Sequence, residues 1–251
     1  MRRVLLWLLV CPAANFLRAE PIHFQSATNS TPLLELYSSE GCSSCPPVES
    51  WLSQLKTHPK LWKDFVPVAF HVDYWDYLGW RDPFGAADYS DRQRACAAEW
   101  KSRSVYTPGF VLDGKEWRGW FSRDEVPRAS IQPVGALTVS SDYGKRWRLR
   151  FEPTMGSSAV FGLHAALLGF DLTSDVKAGE NHRRILRHDF VVLLMTTAMS
   201  KRIGNSFQAE LSLIPASRIS SKRLAVASWV TRHDDLKPLQ AVGGWLPLAN
   251  P

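Results

Sequence analysis

Two cysteines three residues apart stand in Gly41-Cys42-Ser43-Ser44-Cys45-Pro46-Pro47, between a run that reads as a strand and one that reads as a helix. That placement constrains the fold more than any other feature. Before it, Leu33-Leu34-Glu35-Leu36-Tyr37 has the apolar density of a buried strand. After it, Val48, Trp51, Leu52 and Leu55 recur at the spacing of one helical face packed on a sheet. Phe65-Val66-Pro67-Val68-Ala69-Phe70-His71-Val72 is the next strand. A strand, helix, strand unit of about forty residues implies a right-handed crossover to a parallel neighbour.

Further along, Ala86 to Arg103 has helical propensity and no internal Gly or Pro, and this helix should end before Pro108. Phe110-Val111-Leu112 and Glu116-Trp117-Arg118-Gly119-Trp120 flank Asp113-Gly114, a strong signal for a tight antiparallel hairpin. A short helix is expected from Arg123. The order predicts a mixed sheet with helices on both faces, an α/β domain over residues 30–132. From Pro133 the pattern changes to short alternating stretches: Leu137-Thr138-Val139, Trp147-Arg148-Leu149-Arg150-Phe151, Ala209-Glu210-Leu211-Ser212-Leu213 and Leu224-Ala225-Val226-Ala227. Their spacing predicts an antiparallel β-sandwich domain of about seven strands over residues 133–251, with the boundary near Ile131 to Gly135.

Of the 251 residues, 45% are hydrophobic and 22% charged, which excludes disorder, collagen and coiled coil. The longest apolar run, Val4 to Cys11, is too short to cross a bilayer, so no transmembrane anchor is expected in the mature chain. Arg2 and Arg3 before that run, and small residues up to Ala19, read as a signal peptide over residues 1–19. Cleavage is expected after Leu17-Arg18-Ala19, giving a periplasmic or secreted protein. Removing the three arginines of this segment lowers the formal charge from +6 to +3, which leaves little case for a nucleic-acid partner. Cys11 would leave too. Cys42, Cys45 and Cys96 then form an odd set in a compartment where disulfides persist: one pair and one remainder.

Cys42 and Cys45 at a helix start suit a reactive pair, because unsatisfied N–H groups and the helix dipole favour thiolate. Cys42 is the expected nucleophile and Cys45, deeper, the resolving thiol. Pro47 is expected to remove one intrahelical hydrogen bond. A static disulfide is the alternative. A zinc site would need four ligands, and the chain has no second close Cys or His pair; copper(I) held by the two cysteines with His71 as a third ligand is a further rival. No cofactor or resident metal is expected. Tyr74, Trp75, Tyr77 and Trp80 lie among Asp73, Asp76 and Asp82 directly after a strand. Tyr74, Trp75 and Trp80 are therefore candidates for binding a peptide or apolar substrate, with plain packing as the other reading. His71 is expected to be a core histidine bonded to Asp73, or else part of a proton relay or metal site. Arg183, Arg184, Arg187 and His188 read as a solvated basic loop, with anion or membrane-surface binding as the alternative.

The chain resembles thioredoxin-fold proteins generally, and more closely a bacterial secreted family known as domain of unknown function 1223. The resemblance rests on Leu36 to Pro47, Phe70 to Phe84, Arg92-Gln93-Arg94, Ser104-Val105-Tyr106-Thr107-Pro108 and, later, Gly179-Glu180-Asn181 with Leu186 and Val191-Val192. It implies a thioredoxin-like first domain in which Thr107-Pro108 is a cis peptide facing the cysteines and aligning a substrate chain. The activity it suggests is an exported thiol–disulfide oxidoreductase acting on envelope protein thiols or disulfides; a non-catalytic binding module locked by a disulfide is the remaining rival. Three positions depart from the family pattern: Cys96 stands where an aromatic is common, Gly109 where a polar residue is usual, and Arg183 where glycine is common. Cys96 is accordingly expected to be a small buried hydrophobe.

Overall fold

Leu33–Ser38 and Val66–His71 are buried at every position, as strands covered on both faces must be. The computed structural model describes residues 21–122, 126–142, 146–214, 221, 223–233 and 235–248. The expected signal peptide, and the start of the helix expected from Arg123, lie outside them. Before residue 133 the elements are β1 (Ile22–Gln25), β2 (Leu33–Ser38), α1 (Cys45–Gln54), β3 (Val66–His71), α2 (Ala87–Glu99), β4 (Gly109–Leu112) and β5 (Lys115–Glu116). Asp113 and Gly114 both take positive φ, 47° and 77°, which closes the β4–β5 hairpin as the sequence predicts. α2 stops four residues short of expectation. Lys101 adopts φ 60°, and the Ser102 and Lys101 N–H groups return to the Ala97 and Ala98 carbonyls, a helix end that usually uses glycine.

After residue 133 the chain is almost all strand: β6 (Gly135–Ser141), β7 (Arg146–Pro153), β8 (Phe161–Phe170), β9 (Leu172–Asp175), β10 (Ile185–His188), β11 (Val191–Met199), β12 (Lys201–Ile203), β13 (Ser206–Ser212), β14 (Arg223–Arg232) and β15 (Pro238–Trp245). One sheet has the order β15-β14-β8-β11-β3-β2-β4-β5, a second β1-β6-β7-β13-β12, and β9 pairs with β10. The cut expected near 131–135 therefore does not separate two sheets. β3 and β11 run parallel and meet at Ala69 and Val191, with the Ala69 N–H donating to the Phe190 carbonyl at 2.8 Å. β1, early in the chain, pairs with β6. No helix among the described residues is long and apolar enough to cross a membrane.

Pairing register fixes which way each side chain points. Phe110, Leu36, Ala69, Val191 and Gly169 form one row across the large sheet. On that face α1 packs through Trp51, edge-on to Phe110 at 5.5 Å. Farther along the same face, Leu163, Ala165, Leu167, Val226 and Val230 meet Leu137, Val139, Trp147, Leu149 and Phe151 of the five-stranded sheet. Side chains of the two sheets thus share one core here, and the larger sheet is also that of the strands around the cysteines. α2 covers the opposite face, where Tyr89 packs on Phe70 at 5.1 Å.

The centre of that opposite face carries a buried ion pair. Arg92 of α2 donates Nε and Nη2 to both oxygens of Glu35, at 2.7 and 2.9 Å, and Tyr37 donates to Glu35 at 2.8 Å. The guanidinium also lies over Phe70 at 5.6 Å and Trp229 at 5.4 Å, so it touches strands from both halves of the chain. Arg92→Met should cost about 3–5 kcal/mol in denaturant unfolding, because Glu35 is left charged and unpaired. Replacing both residues by apolar ones of similar volume should recover most of that loss. Equal destabilisation by the single and double variants would show that the pair is not the source of the effect.

Candidate functional site

The turn between β2 and α1 is built by its own backbone: the Cys42 N–H donates to the Ser39 carbonyl and the Cys45 N–H to the Cys42 carbonyl. Cys42 and Cys45 form a disulfide with Cα atoms 5.5 Å apart. α1 begins at Cys45, not at Cys42, so Pro46 and Pro47 both fall in the first turn, whose N–H groups have no intrahelical acceptor. Pro47 therefore costs no helical hydrogen bond, contrary to the sequence expectation. The two prolines also remove two N–H groups that would have faced an anion at this helix end. The Ser44 hydroxyl takes a place beside the sulfur, with Oγ 3.3 Å from Cys42 Sγ.

Beneath the disulfide lies a buried polar cluster. Glu49, one turn along α1 from Cys45, accepts from Ser38 Oγ and from His188 Nδ1. His188 Nε2 donates to Glu40 at 2.9 Å, and the other Glu40 oxygen accepts from Trp80 Nε1 at 2.7 Å. Asp82 accepts from His71 Nδ1 at 2.7 Å, from the Glu40 N–H at 2.8 Å and from the Phe84 N–H at 2.9 Å. For His188, Glu49, His71 and Asp82, burial favours the neutral form, but pairing outweighs it. Glu49 and Glu40 hold the His188 imidazolium up at about 10, and His188 in turn keeps Glu49 below the usual carboxylate range. His71 is raised by Asp82 against its own burial, and Asp82 is lowered by His71 against its own. One ligand-type atom from each of Glu49, His71 and His188 lies within 4.8 Å of the others.

The segment after β9 clamps the cysteine turn from above. Asn181 is fully buried and donates Nδ2 to the carbonyls of Glu40 and Cys42, both at 2.9 Å, while Arg184 donates to its Oδ1 at 2.7 Å. Glu180 accepts from the Ser43 N–H at 2.9 Å. Cys42, the expected nucleophile, is only 1% exposed, and Ser43 and Ser44 form the exposed tip.

The Thr107–Pro108 peptide is cis. Trp75 links it to the cysteine turn: its Nε1 donates to Thr107 Oγ1 at 2.8 Å, and a Cβ at Gly41 would lie 2.7 Å from Trp75 Cβ, so the approach requires glycine. Gln93 of α2 donates to the Tyr106 carbonyl at 2.8 Å and accepts from Tyr74 at 3.1 Å. Gly109 has a similar cause, since a Cβ there would stand 2.8 Å from the Tyr106 oxygen. Trp75 thus links the turn that carries Cys42 and Cys45 to Thr107. Tyr74 and Trp80 hold internal hydrogen bonds, and the exposed aromatic is Tyr77, 77% exposed and stacked on Trp75.

Two expectations are corrected. His71 bonds Asp82, because Asp73 turns to α2 and receives the Ser90 N-terminal-turn hydroxyl instead. His188 is no part of a solvated loop: it ends β10, is buried, and closes the acidic cluster, while Arg183, Arg184 and Arg187 are exposed. Glu40 and Glu49 were missed altogether. An acid within a few residues of each cysteine was the available signal, but its partner lies 139 or 148 residues away. Cys96 is fully buried and bonded to no other cysteine among the described residues, and burial, helped by the nearby Glu35 charge, pushes its thiol up to about 12.

The profile of a family described as protein of unknown function, DUF1223, matches residues 33–231. Among solved structures, protein AGR_C_4864 from Agrobacterium tumefaciens is similar at 22% identity, with a TM-score of 0.59 over 88% of this chain and 96% of that one. HBP35 of Porphyromonas gingivalis is similar at 12% identity, with a TM-score of 0.53 over 90% of this chain and 81% of that one. These likenesses concern the fold. No curated protein matches the sequence.

Asn181→Ala removes both hydrogen bonds that fix the carbonyls flanking the turn. At roughly 1 kcal/mol each, their loss should speed reduction of the disulfide by a small thiol about tenfold or more. An unchanged rate in stopped-flow measurements would mean that the clamp does not control access to the sulfurs.

Proposed function

Because the chain belongs to the DUF1223 family, whose function is unknown, we propose an activity from its geometry: thiol–disulfide exchange at Cys42 and Cys45, in a thioredoxin-like setting, on protein substrates of the cell envelope. The observation that carries this reading is a bonded cysteine pair at a strand-to-helix turn, joined through one tryptophan to a proline loop. In the reductive direction, Cys42 thiolate attacks a substrate disulfide and expels one substrate thiolate, leaving a mixed disulfide. Cys45 thiolate then attacks Cys42 Sγ and releases the second substrate thiolate. Two electrons pass to the substrate and the Cys42–Cys45 bond forms. The oxidative direction is the same sequence reversed.

In this reading Thr107 and Pro108 align the substrate backbone, and Trp75 with Tyr77 gives it an aromatic edge. Tyr74 and Trp80 act through the positions they hold. A cleft of about 200 Å³ beside Gly109, lined by Trp100, Tyr106, Phe110 and Arg118, would take a substrate side chain. Export by a leader over residues 1–19 would supply the compartment in which such a pair cycles.

A static disulfide is favoured by one specific observation, the burial of Cys42 under the Asn181 clamp. Trapping separates the two readings. With Cys45→Ser, mixed disulfides through Cys42 should accumulate on envelope proteins and disappear when Cys42 is also replaced. Absence of adducts, under conditions where an established oxidoreductase variant captures its clients, would leave the disulfide as a structural lock.

A further inference from the structure

The buried cluster under the cysteine turn has one feature that its internal hydrogen bonds do not explain. His71 is fully buried and its Nδ1 is held by Asp82, yet Nε2 has no hydrogen-bond partner among the described residues. A buried ring nitrogen without a partner is costly whether it carries a proton or a lone pair. It belongs to the three residues, Glu49, His71 and His188, whose ligand-type atoms lie within 4.8 Å of one another.

We propose that Glu49, His71 and His188 are the protein ligands of a buried site for a zinc-class divalent transition ion. The surrounding bonds are those a metal site needs. A ligating histidine commonly gives its other ring nitrogen to a carboxylate, which fixes the tautomer and the ring direction. Both histidines do so here: His71 Nδ1 to Asp82, and His188 Nε2 to Glu40. Those carboxylates are themselves fixed, Asp82 by the Glu40 and Phe84 N–H groups and Glu40 by Trp80. Ser38 occupies one oxygen of Glu49 and leaves the oxygen that now meets His188 Nδ1. The atoms left for an ion are therefore His71 Nε2, His188 Nδ1 and one Glu49 oxygen.

Two imidazoles and a carboxylate suit zinc, cobalt or iron(II) and not calcium or magnesium, which take oxygen ligands, and three protein ligands leave a position open. The site needs neither cysteine, so it stands apart from the redox reading above.

The test uses the disulfide-intact protein, freed of metal by chelator, and cobalt(II) or zinc(II) as the probe. One equivalent should bind. The cobalt spectrum should show d–d bands without sulfur charge transfer, and X-ray absorption of the zinc form should show imidazole scattering and no sulfur neighbour. Glu49→Gln and His71→Phe, checked for folding by near-ultraviolet circular dichroism, should weaken binding by more than about 100-fold. Asp82→Asn, which touches no ion, should weaken it by roughly 10–100-fold. Failure of the folded wild-type protein to take up one equivalent overturns the proposal, even where a variant does not fold. So does a sulfur neighbour, uptake only after reduction, or uptake unchanged in both ligand variants.

Discussion

Around His188 the protein sets two carboxylates, Glu40 and Glu49, in a place closed to water, and the rest of the cysteine region depends on that arrangement. A buried carboxylate without a cation is costly, and an imidazolium between two of them answers both. Because Glu40 lies in the turn, Glu49 on α1 and His188 at the end of β10, the pairing pins the cysteine turn to a strand far along the chain. Asn181, a few residues before His188, then reaches the carbonyls that flank Cys42. In the folded protein the turn is thus held by the segment of β9 and β10.

The other face of the sheet uses a second buried charge in the same way. Arg92 neutralises Glu35 and spreads over Phe70 and Trp229, joining β2 to β14 through a helix. Its neighbour Gln93 turns toward the Thr107–Pro108 loop. One stretch of α2 thus ties the shared sheet together and positions one wall of the candidate site. What the two halves of the chain share is a layer: β8, β11, β14 and β15 extend the sheet that β2 and β3 begin.

How far this could be read from sequence follows from where each signal lies. β2, α1, β3 and the β4–β5 hairpin were legible because strand density, helical spacing and Asp113-Gly114 are local patterns. β6, β7 and β13 were legible because one face is wet and their residues alternate. β8 is buried on nearly every residue, so alternation fails and its place in the sheet is invisible. The junction of β3 with β11 is a single parallel bridge across more than a hundred residues, with no sequence signature. The end of α2 was hidden because lysine, not glycine, takes the left-handed position at Lys101. In the candidate site, the cysteines and the Thr107–Pro108 loop were visible as motifs. Glu40 and Asn181 stood inside the family-like motifs and His188 in the basic run, but their roles, and that of Glu49, were not legible, because they depend on partners brought together only by the fold.

The central claim is that the Cys42–Cys45 bond works by opening and closing. Its reduction potential tests this most directly, measured by equilibrating the protein with glutathione or dithiothreitol buffers and quantifying the free thiols of Cys42 and Cys45. A working pair should titrate between about −120 and −270 mV, the span of known thiol–disulfide oxidoreductases, whereas a potential below about −300 mV would mark a structural disulfide and contradict the account.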